Sequence, residues 1–379
     1  MNFKYPPLIT LATFTLISLS PLTAAAQDQR VSDWMTQGWR KNALVDYVSA
    51  TRSAMLELKL ASPTSLSENS RAQALINAGK RRFDLPGTRV AIFSDNEQII
   101  FEHYLPNKAN SESTPIGNSI SKSLVALAVG KSLCDGSIKS LDDKGSAYLK
   151  ALAGSSWGEA SIRNILRMSS GAFKTNPFDP SGWKNQEDGL ENRPIYSGDL
   201  RLNYLDIMRK HDQRIAPPGA EFNYSNYDTI ALNLIVEAAT GRKFATYFEE
   251  TIWRDAGAKH DGAWMRNNRG QVAGYMGFSA TPHDWIRLGH YVLRELEKPG
   301  CFSDYLKNAT TEQIPANWLA MKSYGYQIWT NCTKKQGSFC FLGWGGQQLI
   351  MHPETKTVMY VHGTANESAA PWREIFERY

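Results

Sequence analysis

The chain has 379 residues, of which 42% are hydrophobic, and carries a formal net charge of +5 at neutral pH. This length and composition are sufficient for a large buried core. The charge is modest and the sequence contains no run of basic residues, so it does not indicate a nucleic-acid-binding protein.

The N-terminus has the pattern of a secretory signal peptide, which we predict over residues 1–26. Lys4 supplies a positive charge, residues 8–22 are mostly apolar, and residues 24–26 are small alanines suited to cleavage. The apolar segment is shorter than the roughly 20 residues that cross a bilayer, and no later segment is long and apolar enough. We therefore expect a periplasmic or secreted protein with no membrane anchor after cleavage.

Strand patterns lie near both ends of the chain, around a helical middle. Residues 33–61 predict a helical or loosely ordered lead, and the pattern from about 119 to 300 is mainly helical with glycine and proline breaks. Residues 372–376 predict a closing helix. The predicted strands are 89–94 and 98–103, which form a hairpin, and then 326–329, 348–351 and 358–362.

This order of elements predicts an α+β fold in which a helical domain is inserted into a sheet domain. Residues 27–118 and 301–379 are expected to form the sheet domain, and residues 119–300 the mainly helical domain. Residues 174–197 are rich in proline and glycine, and they are long for a loop without secondary structure. Such a loop is either an active-site lid or a surface insertion.

The segment 117–122 contains a serine and a lysine that open an apolar helical run. Ser119 and Lys122 are three residues apart, so they share one helix face and could act as a nucleophile and its base. Free N–H groups at a helix start also stabilise a developing oxyanion. Alternatively, Ser119 only caps the helix and Lys122 is a solvated surface lysine. A second Ser-x-x-Lys, Ser181–Lys184, lies in a predicted loop.

Tyr224-Ser225-Asn226 is the only Tyr-x-Asn in the chain. A lysine cation beside the Tyr224 phenol would favour the phenolate, which is a competent base. The Asn226 amide could donate to a substrate oxygen or to one that faces the lysine. Alternatively, the segment is a helix boundary capped by Asn223 or Ser225, and both interpretations can hold together.

Residues 342–348 include three glycines, at positions 343, 345 and 346, before an apolar strand. Glycines allow a backbone to approach a ligand closely, so this edge could present a backbone N–H to an oxyanion. Alternatively, the segment is an ordinary glycine-rich turn between two strands.

These three segments, in this order, resemble the motifs of the serine β-lactamase-related superfamily. The resemblance is closest to the branch of class C β-lactamases, carboxylesterases and 6-aminohexanoate-dimer hydrolases, and it covers about residues 85–365. It implies a β-lactamase/transpeptidase-like fold, with an antiparallel sheet flanked by helices, an inserted all-helical domain and an active site at their junction. Further matching segments are residues 165–171, 217–219, 238–241 and 324–330.

The resemblance also implies roles for individual residues. Ser119 would form an acyl-enzyme with an ester or amide substrate, and Lys122 and Tyr224 would relay its proton, either of them being the base. The backbone N–H groups of Ser119 and Trp344 would form the oxyanion hole. The substrate-binding positions would be Asn226, Gly343, Gly345 and Gln347.

The sequence departs from the family pattern at the third motif. Lys-Thr-Gly or His-x-Gly is usual there, but Phe341-Leu342-Gly343 stands in this chain. Phe341 cannot make a charge-assisted hydrogen bond to a carboxylate. This favours an esterase or amidase that acts on a small molecule. The alternatives are a β-lactamase or D-alanyl-D-alanine peptidase, or a catalytically silent binding protein on the same fold.

The four cysteines allow three disulfide pairings, and an exported chain meets an oxidising compartment. Cys332 and Cys340 flank a short hairpin-like loop, which favours that pair. No Cys-x-x-Cys or His-Glu-x-x-His occurs, so we expect neither a metal site nor another cofactor. No Gly-x-Ser-x-Gly occurs either, so the nucleophile elbow of an α/β-hydrolase is not indicated.

Overall fold

The computed structural model describes residues 44–51, 56–62, 70–82, 87–172, 203–210, 212–318, 321–364 and 369–379. The predicted signal peptide at 1–26 and the predicted lid at 174–197 lie outside these residues. Of the described helices, none has both the length and the apolar character needed to cross a membrane.

Nine strands form the main sheet, and all neighbouring pairs are antiparallel except the parallel pair at one edge. The sheet confirms the predicted hairpin and the strands predicted at 348–351 and 358–362. In spatial order the strands are β2 (Lys59–Leu60), β4 (Gln98–Tyr104), β3 (Thr88–Asp95), β12 (Thr357–Gly363), β11 (Gln347–His352), β10 (Phe339–Gly343), β9 (Trp329–Thr330), β8 (Met321–Tyr324) and β7 (Ile314–Trp318).

The strand predicted at 326–329 is largely wrong, since only Trp329 belongs to β9. Gln327 has a φ of +56°, which is not a strand conformation. Its backbone N–H donates to the carbonyl of Leu166 at 2.9 Å, outside the sheet. This segment therefore leaves the sheet and connects it to the helices.

The helices alternate with short connections, and a 3₁₀ turn (Lys150–Leu152) and a π-helical turn (Glu249–Trp253) accompany them. The closing helix predicted at 372–376 is confirmed. The helices are α1 (Ser70–Arg82), α2 (Ile120–Cys134), α3 (Gly145–Tyr148), α4 (Ser156–Glu159), α5 (Ile162–Leu166), α6 (Tyr204–Lys210), α7 (Asn226–Thr240), α8 (Phe244–Phe248), α9 (Pro282–Glu297), α10 (Cys301–Ala309) and α11 (Ala369–Arg378).

A second, three-stranded sheet joins one strand from the N-terminal part of the chain to two strands from the mainly helical part. It consists of β1 (Leu44–Val48), β5 (Gly262–Arg266) and β6 (Phe278–Ser279). The prediction of a helical or loosely ordered lead is therefore wrong for β1, which pairs antiparallel with β5. Asp46 accepts from Arg266 Nε at 2.5 Å across this pair. A partner 220 residues away decides the conformation here, and local sequence does not reveal it.

Helices cover both faces of the main sheet. On one face, Trp285 of α9 stacks on Tyr360 of β12 with ring centroids 5.8 Å apart. On the other face, Trp372 of α11 contacts Phe93 and Phe101, with centroids at 6.2 Å and 6.4 Å. The predicted α+β fold, an antiparallel sheet flanked by helices, is confirmed.

Helix α2 is buried along nearly its whole length. Apolar residues lie on all of its sides, as expected for a helix that passes through the middle of the molecule. Its N-terminus meets the end of β10. An added Cβ at Gly343 would lie 2.2 Å from the carbonyl oxygen of Gly117, so only glycine permits this approach. The fully buried apolar residues of α2 are Ile120, Leu124, Val125, Ala126, Leu127, Ala128 and Val129.

Two disulfides are present, and the predicted Cys332–Cys340 pair is confirmed. The other joins Cys134 at the end of α2 to Cys301 at the start of α10, across 167 residues of sequence. The first closes a loop with a sequence separation of only 8. Because cross-linking a longer loop removes more entropy from the unfolded chain, the two bonds should stabilise the fold unequally.

We therefore expect replacement of Cys134 and Cys301 by alanine to lower the free energy of unfolding by about 5 kcal/mol, against about 2–3 kcal/mol for Cys332 and Cys340. Denaturant titration of the two double variants measures the difference. Equal losses would show that native packing, rather than loop length, determines the effect.

Candidate active site

Ser119 occupies the N-cap position of α2, but its side chain does not cap the helix. Asn118 before it has a φ of +49°, and this turns the chain sharply into the helix. Instead, the Ser119 hydroxyl lies 3.1 Å from the Lys122 amine. The interpretation of Ser119 as only a helix cap is wrong.

Lys122 is buried, with 1% of its surface exposed, so its interpretation as a solvated surface lysine is also wrong. Its Nζ contacts Ser119 Oγ, and it lies 2.7 Å from both Asn226 Oδ1 and the Tyr275 carbonyl oxygen. Burial holds the pKa of Lys122 well below its ordinary value. In the structure, Nζ donates to all three oxygens. An amine that has lost one proton keeps two N–H donors and gains a lone pair, so the two carbonyl oxygens could still be satisfied while the lone pair accepts the Ser119 proton.

Tyr224 enters the same site from the start of α7. Ser225 caps that helix by accepting from the Tyr227 N–H at 3.1 Å, so the helix-boundary interpretation is confirmed. The functional interpretation is compatible with it and stays a prediction. The Tyr224 ring centroid lies 5.1 Å from Lys122 Nζ. Trp329 stacks on the ring at 5.7 Å with an interplanar angle of 22°. Tyr224 is thus held next to Lys122 by a rigid aromatic neighbour.

Asn226 contacts Lys122 through the carbonyl oxygen of its side chain, which accepts from Nζ. Donation by its amide nitrogen to a substrate oxygen, or to one that faces the lysine, stays a prediction. The lysine amine offers N–H donors to Asn226. The carboxamide therefore turns its oxygen, which is the acceptor, towards the amine. Asn226 therefore acts on Lys122 first, and its role in substrate binding stays a prediction.

The glycine-rich segment 343–347 forms the turn between β10 and β11, as the structural alternative predicted. The φ angles of Gly345 and Gly346 are +85° and +88°, which favours glycine at both positions. Asn118 Nδ2 donates to the Trp344 carbonyl oxygen at 2.7 Å. This contact places Trp344 beside the residue that precedes Ser119, so the two backbone groups predicted for the oxyanion hole come from adjacent segments.

Gln347 faces the same side of the hairpin as Gly343, because the two residues pair directly. It is 4% exposed. An added Cβ at Gly345 would lie 3.2 Å from its Oε1, and this oxygen has no hydrogen-bond partner among the described residues. Substrate-binding roles for Gly343, Gly345 and Gln347 stay predictions.

Phe341 is fully buried in the main core and does not line the site. Leu342, the next residue, is half-buried and packs on the buried apolar cluster that also contains Tyr224. The strand position at which the family carries a cation is therefore occupied by an apolar core residue.

Sequence reasoning missed three groups that hold the site together. Tyr275 contributes a backbone carbonyl, which no side-chain motif reveals. The backbone carbonyl of Gln327 accepts from Ser123 at 2.7 Å, and its side-chain carbonyl accepts from Thr229 at 2.7 Å. Gln327 thereby joins α2 to α7 next to Lys122. Its only sequence signal was its place in the matching segment 324–330.

Asp228 interacts with residues 165–171, another of the segments that resemble the family, because Ser170 of that segment donates to its carboxylate. It is fully buried, and Trp157 Nε1 and Ser170 Oγ donate to its Oδ1 at 2.9 Å and 2.7 Å. Burial raises the pKa of Asp228 to about 7, against the lowering effect of these hydrogen bonds. The carboxyl group fixes the first turn of α7, two residues beyond Asn226.

In the described residues, no three His, Cys, Asp or Glu side chains are grouped as metal ligands would be.

Comparison with known proteins agrees with the fold. The Beta-lactamase family model matches residues 72–378. A 6-aminohexanoate-dimer hydrolase from Paenarthrobacter ureafaciens is 25% identical over 264 residues, which are 62% of this chain and 64% of the relative. The chain thus spans less than two thirds of the length of that curated relative.

Two solved structures share the fold at lower identity. A Bacillus anthracis protein provisionally named 6-aminohexanoate-dimer hydrolase is 20% identical, with a TM-score of 0.73 over 92% of each chain. A penicillin-binding protein from Bacillus halodurans is 19% identical, with a TM-score of 0.63 over 80% of this chain and 99% of its own. At these identities the likeness concerns the fold alone.

Proposed function

The chain belongs to the β-lactamase family, and on that basis we propose that it is a serine hydrolase that cleaves an ester or amide through an acyl-enzyme on Ser119. The observation that carries the proposal is the contact of 3.1 Å between the Ser119 hydroxyl and the buried amine of Lys122. A nucleophile needs a base within hydrogen-bond reach, and burial lowers the pKa of Lys122 and so favours the neutral amine, the form that can accept a proton.

In the proposed reaction, Ser119 Oγ attacks the substrate carbonyl carbon while its proton moves to Lys122 Nζ. Two carbonyl oxygens accept from the amine, and in its neutral form its lone pair would be turned to the hydroxyl. The N–H groups of Ser119 and Trp344 would stabilise the oxyanion. Lys122 and Tyr224 would then pass the proton to the leaving alcohol or amine. Water would hydrolyse the acyl-enzyme with the same groups acting in reverse.

Export is part of the proposal. Residues 1–26 have the composition of a signal peptide, and the chain carries two disulfides. Disulfides persist mainly in oxidising compartments. A periplasmic or secreted location follows, and N-terminal sequencing of the mature protein purified from its native compartment tests it. Retention of residues 1–26 in that protein would contradict cleavage.

Linear esters and amides are the preferred substrate class in this proposal, ahead of β-lactams and D-alanyl peptides. The curated relative is named for a linear amide dimer. The strand position that would hold a cation for a carboxylate carries the buried Phe341. We accordingly expect nitrocefin turnover to be poor or absent, and short-chain p-nitrophenyl esters to be hydrolysed more readily than amides, since an alcohol leaves more easily than an amine.

A substrate panel of p-nitrophenyl esters, linear amides, nitrocefin and a D-alanyl-D-alanine peptide tests this order. Labelling with a serine-reactive fluorophosphonate separates an enzyme from a catalytically silent binding protein on the same fold. Labelling together with ester turnover is the expected result. Efficient nitrocefin hydrolysis without esterase activity would favour a β-lactamase, and the absence of both labelling and turnover would favour the binding protein.

Tyr224→Phe should lower kcat by about 10²–10⁴-fold with little change in KM, because general acid–base groups contribute about that much to the transition state. The aromatic ring and its stacking on Trp329 would remain. Steady-state kinetics with one ester separates the two constants. Near-normal turnover in this variant would leave Lys122 as the only proton-transfer group.

A further inference from the structure

Three apolar side chains with exposed surface belong to chain segments that contact the proposed catalytic residues or their neighbours. Phe222 and Leu342 are each half-buried, and Trp344 is 60% exposed. We call these three residues the apolar lip. Single exposed apolar residues are common on proteins, but a group of them beside a reactive serine is a candidate substrate surface.

Two members of the apolar lip pack on the buried apolar cluster that contains Tyr224. Phe222 has its ring centroid 6.4 Å from that of Tyr224 and 5.1 Å from that of Tyr324. Phe222 therefore keeps a fixed position next to a proposed proton-transfer group, and Leu342 is anchored in the same cluster, while part of the surface of each faces solvent.

The backbone of Trp344 is held in place by contacts with the start of α2. Its carbonyl oxygen accepts from Asn118, the residue before Ser119, and the close approach of Gly343 to Gly117 holds the hairpin against the start of α2. Leu342 and Trp344 are two positions apart, so Gly343 is the only residue between them. Among the described residues, the other exposed large apolar side chains are those of Leu60, on the edge strand β2, and Ile215, whose N–H donates to the Gly171 carbonyl.

We propose that the apolar lip binds the acyl chain of the substrate and selects uncharged, apolar chains over short or charged ones. This rests on the proposed function. A long acyl chain would cover side-chain surface that water now contacts, and each buried methylene improves transition-state binding by up to about fourfold. No charged side chain belongs to the lip, so a terminal carboxylate would be desolvated there without a counter-ion.

The preference for long over short acyl chains is tested by the hydrolysis of p-nitrophenyl acetate, butyrate and octanoate by the full chain. In the wild type, we expect kcat/KM to be about tenfold or more higher for octanoate than for acetate. Trp344→Ala and Leu342→Ser should each reduce this octanoate-to-acetate ratio by about fivefold or more. Leu60→Ala is the matched control, because Leu60 is 70% exposed on β2 and should leave the ratio unchanged.

The preference for uncharged over charged acyl chains is tested with p-nitrophenyl hexanoate and the p-nitrophenyl monoester of adipic acid, which differ in a terminal carboxylate. The wild type should prefer the hexanoate by about tenfold or more, and Trp344→Arg should narrow or reverse that preference by offering a counter-ion.

The role of the lip would be overturned if the wild type showed ratios near one for both octanoate to acetate and hexanoate to the adipate monoester. It would also be overturned if Trp344→Ala and Leu60→Ala gave equal octanoate-to-acetate ratios. In either case the proposed function would stand as long as ester turnover depends on Ser119. If no ester is hydrolysed, or if Ser119→Ala keeps activity, the proposed function itself fails.

Discussion

Ser119→Ala should reduce ester and amide hydrolysis by about 10⁴-fold or more, because loss of the nucleophile removes the covalent pathway and leaves only binding and the oxyanion donors. The fold should remain intact. The Ser119 hydroxyl does not cap α2, and the apolar sides of that helix hold it in the core. kcat/KM for p-nitrophenyl butyrate and a thermal unfolding curve measure the two effects together.

Ser132→Ala is the matched control for this substitution. Ser132 is a fully buried serine on the same helix, and its hydroxyl donates only to the Val129 carbonyl at 2.9 Å. It should keep both activity and fluorophosphonate labelling, whereas Ser119→Ala should lose both. If Ser119→Ala retained labelling, the nucleophile would be another serine, and Ser181 of the second Ser-x-x-Lys would be the next to replace.

The three motifs could be predicted from the sequence because each depends on residues close together in the chain. Ser119 and Lys122 share a helix face at a spacing of three residues, and Tyr224 and Asn226 flank the cap of one helix. The same is true of the hairpin at 89–103, whose turn and alternating apolar residues are local signals. Local periodicity is sufficient where the interacting residues are neighbours.

The remaining features depend on partners distant in sequence. The Tyr275 carbonyl that holds Lys122 is a backbone group 153 residues away, and backbone groups have no sequence signature. The conformation of β1 depends on pairing with β5. The orientation of the Asn226 amide follows from the donors of a lysine that only the fold brings near. Such features become visible only when tertiary contacts are known.

Those contacts also suggest which group is the base, which the motifs left open. Lys122→Met should lower kcat/KM by about 10³-fold or more, because it removes the proposed base and a methionine side chain cannot accept the proton in its place. In the wild type, kcat/KM should rise with pH as Lys122 loses its proton and then level off. Since burial lowers the pKa of Lys122, this plateau should begin well below the ordinary lysine range.

Lys122→Arg separates a base from a mere positive charge. Arginine keeps the charge and can still donate to Asn226 and to the Tyr275 carbonyl, but it does not lose a proton in proteins. If Lys122 acts as the neutral base, the arginine variant should be about as inactive as Lys122→Met, and the rising limb of the pH profile should disappear in both. If the arginine variant instead retains most of the activity, Lys122 acts through its charge on Tyr224, and the phenolate is the base that takes the Ser119 proton.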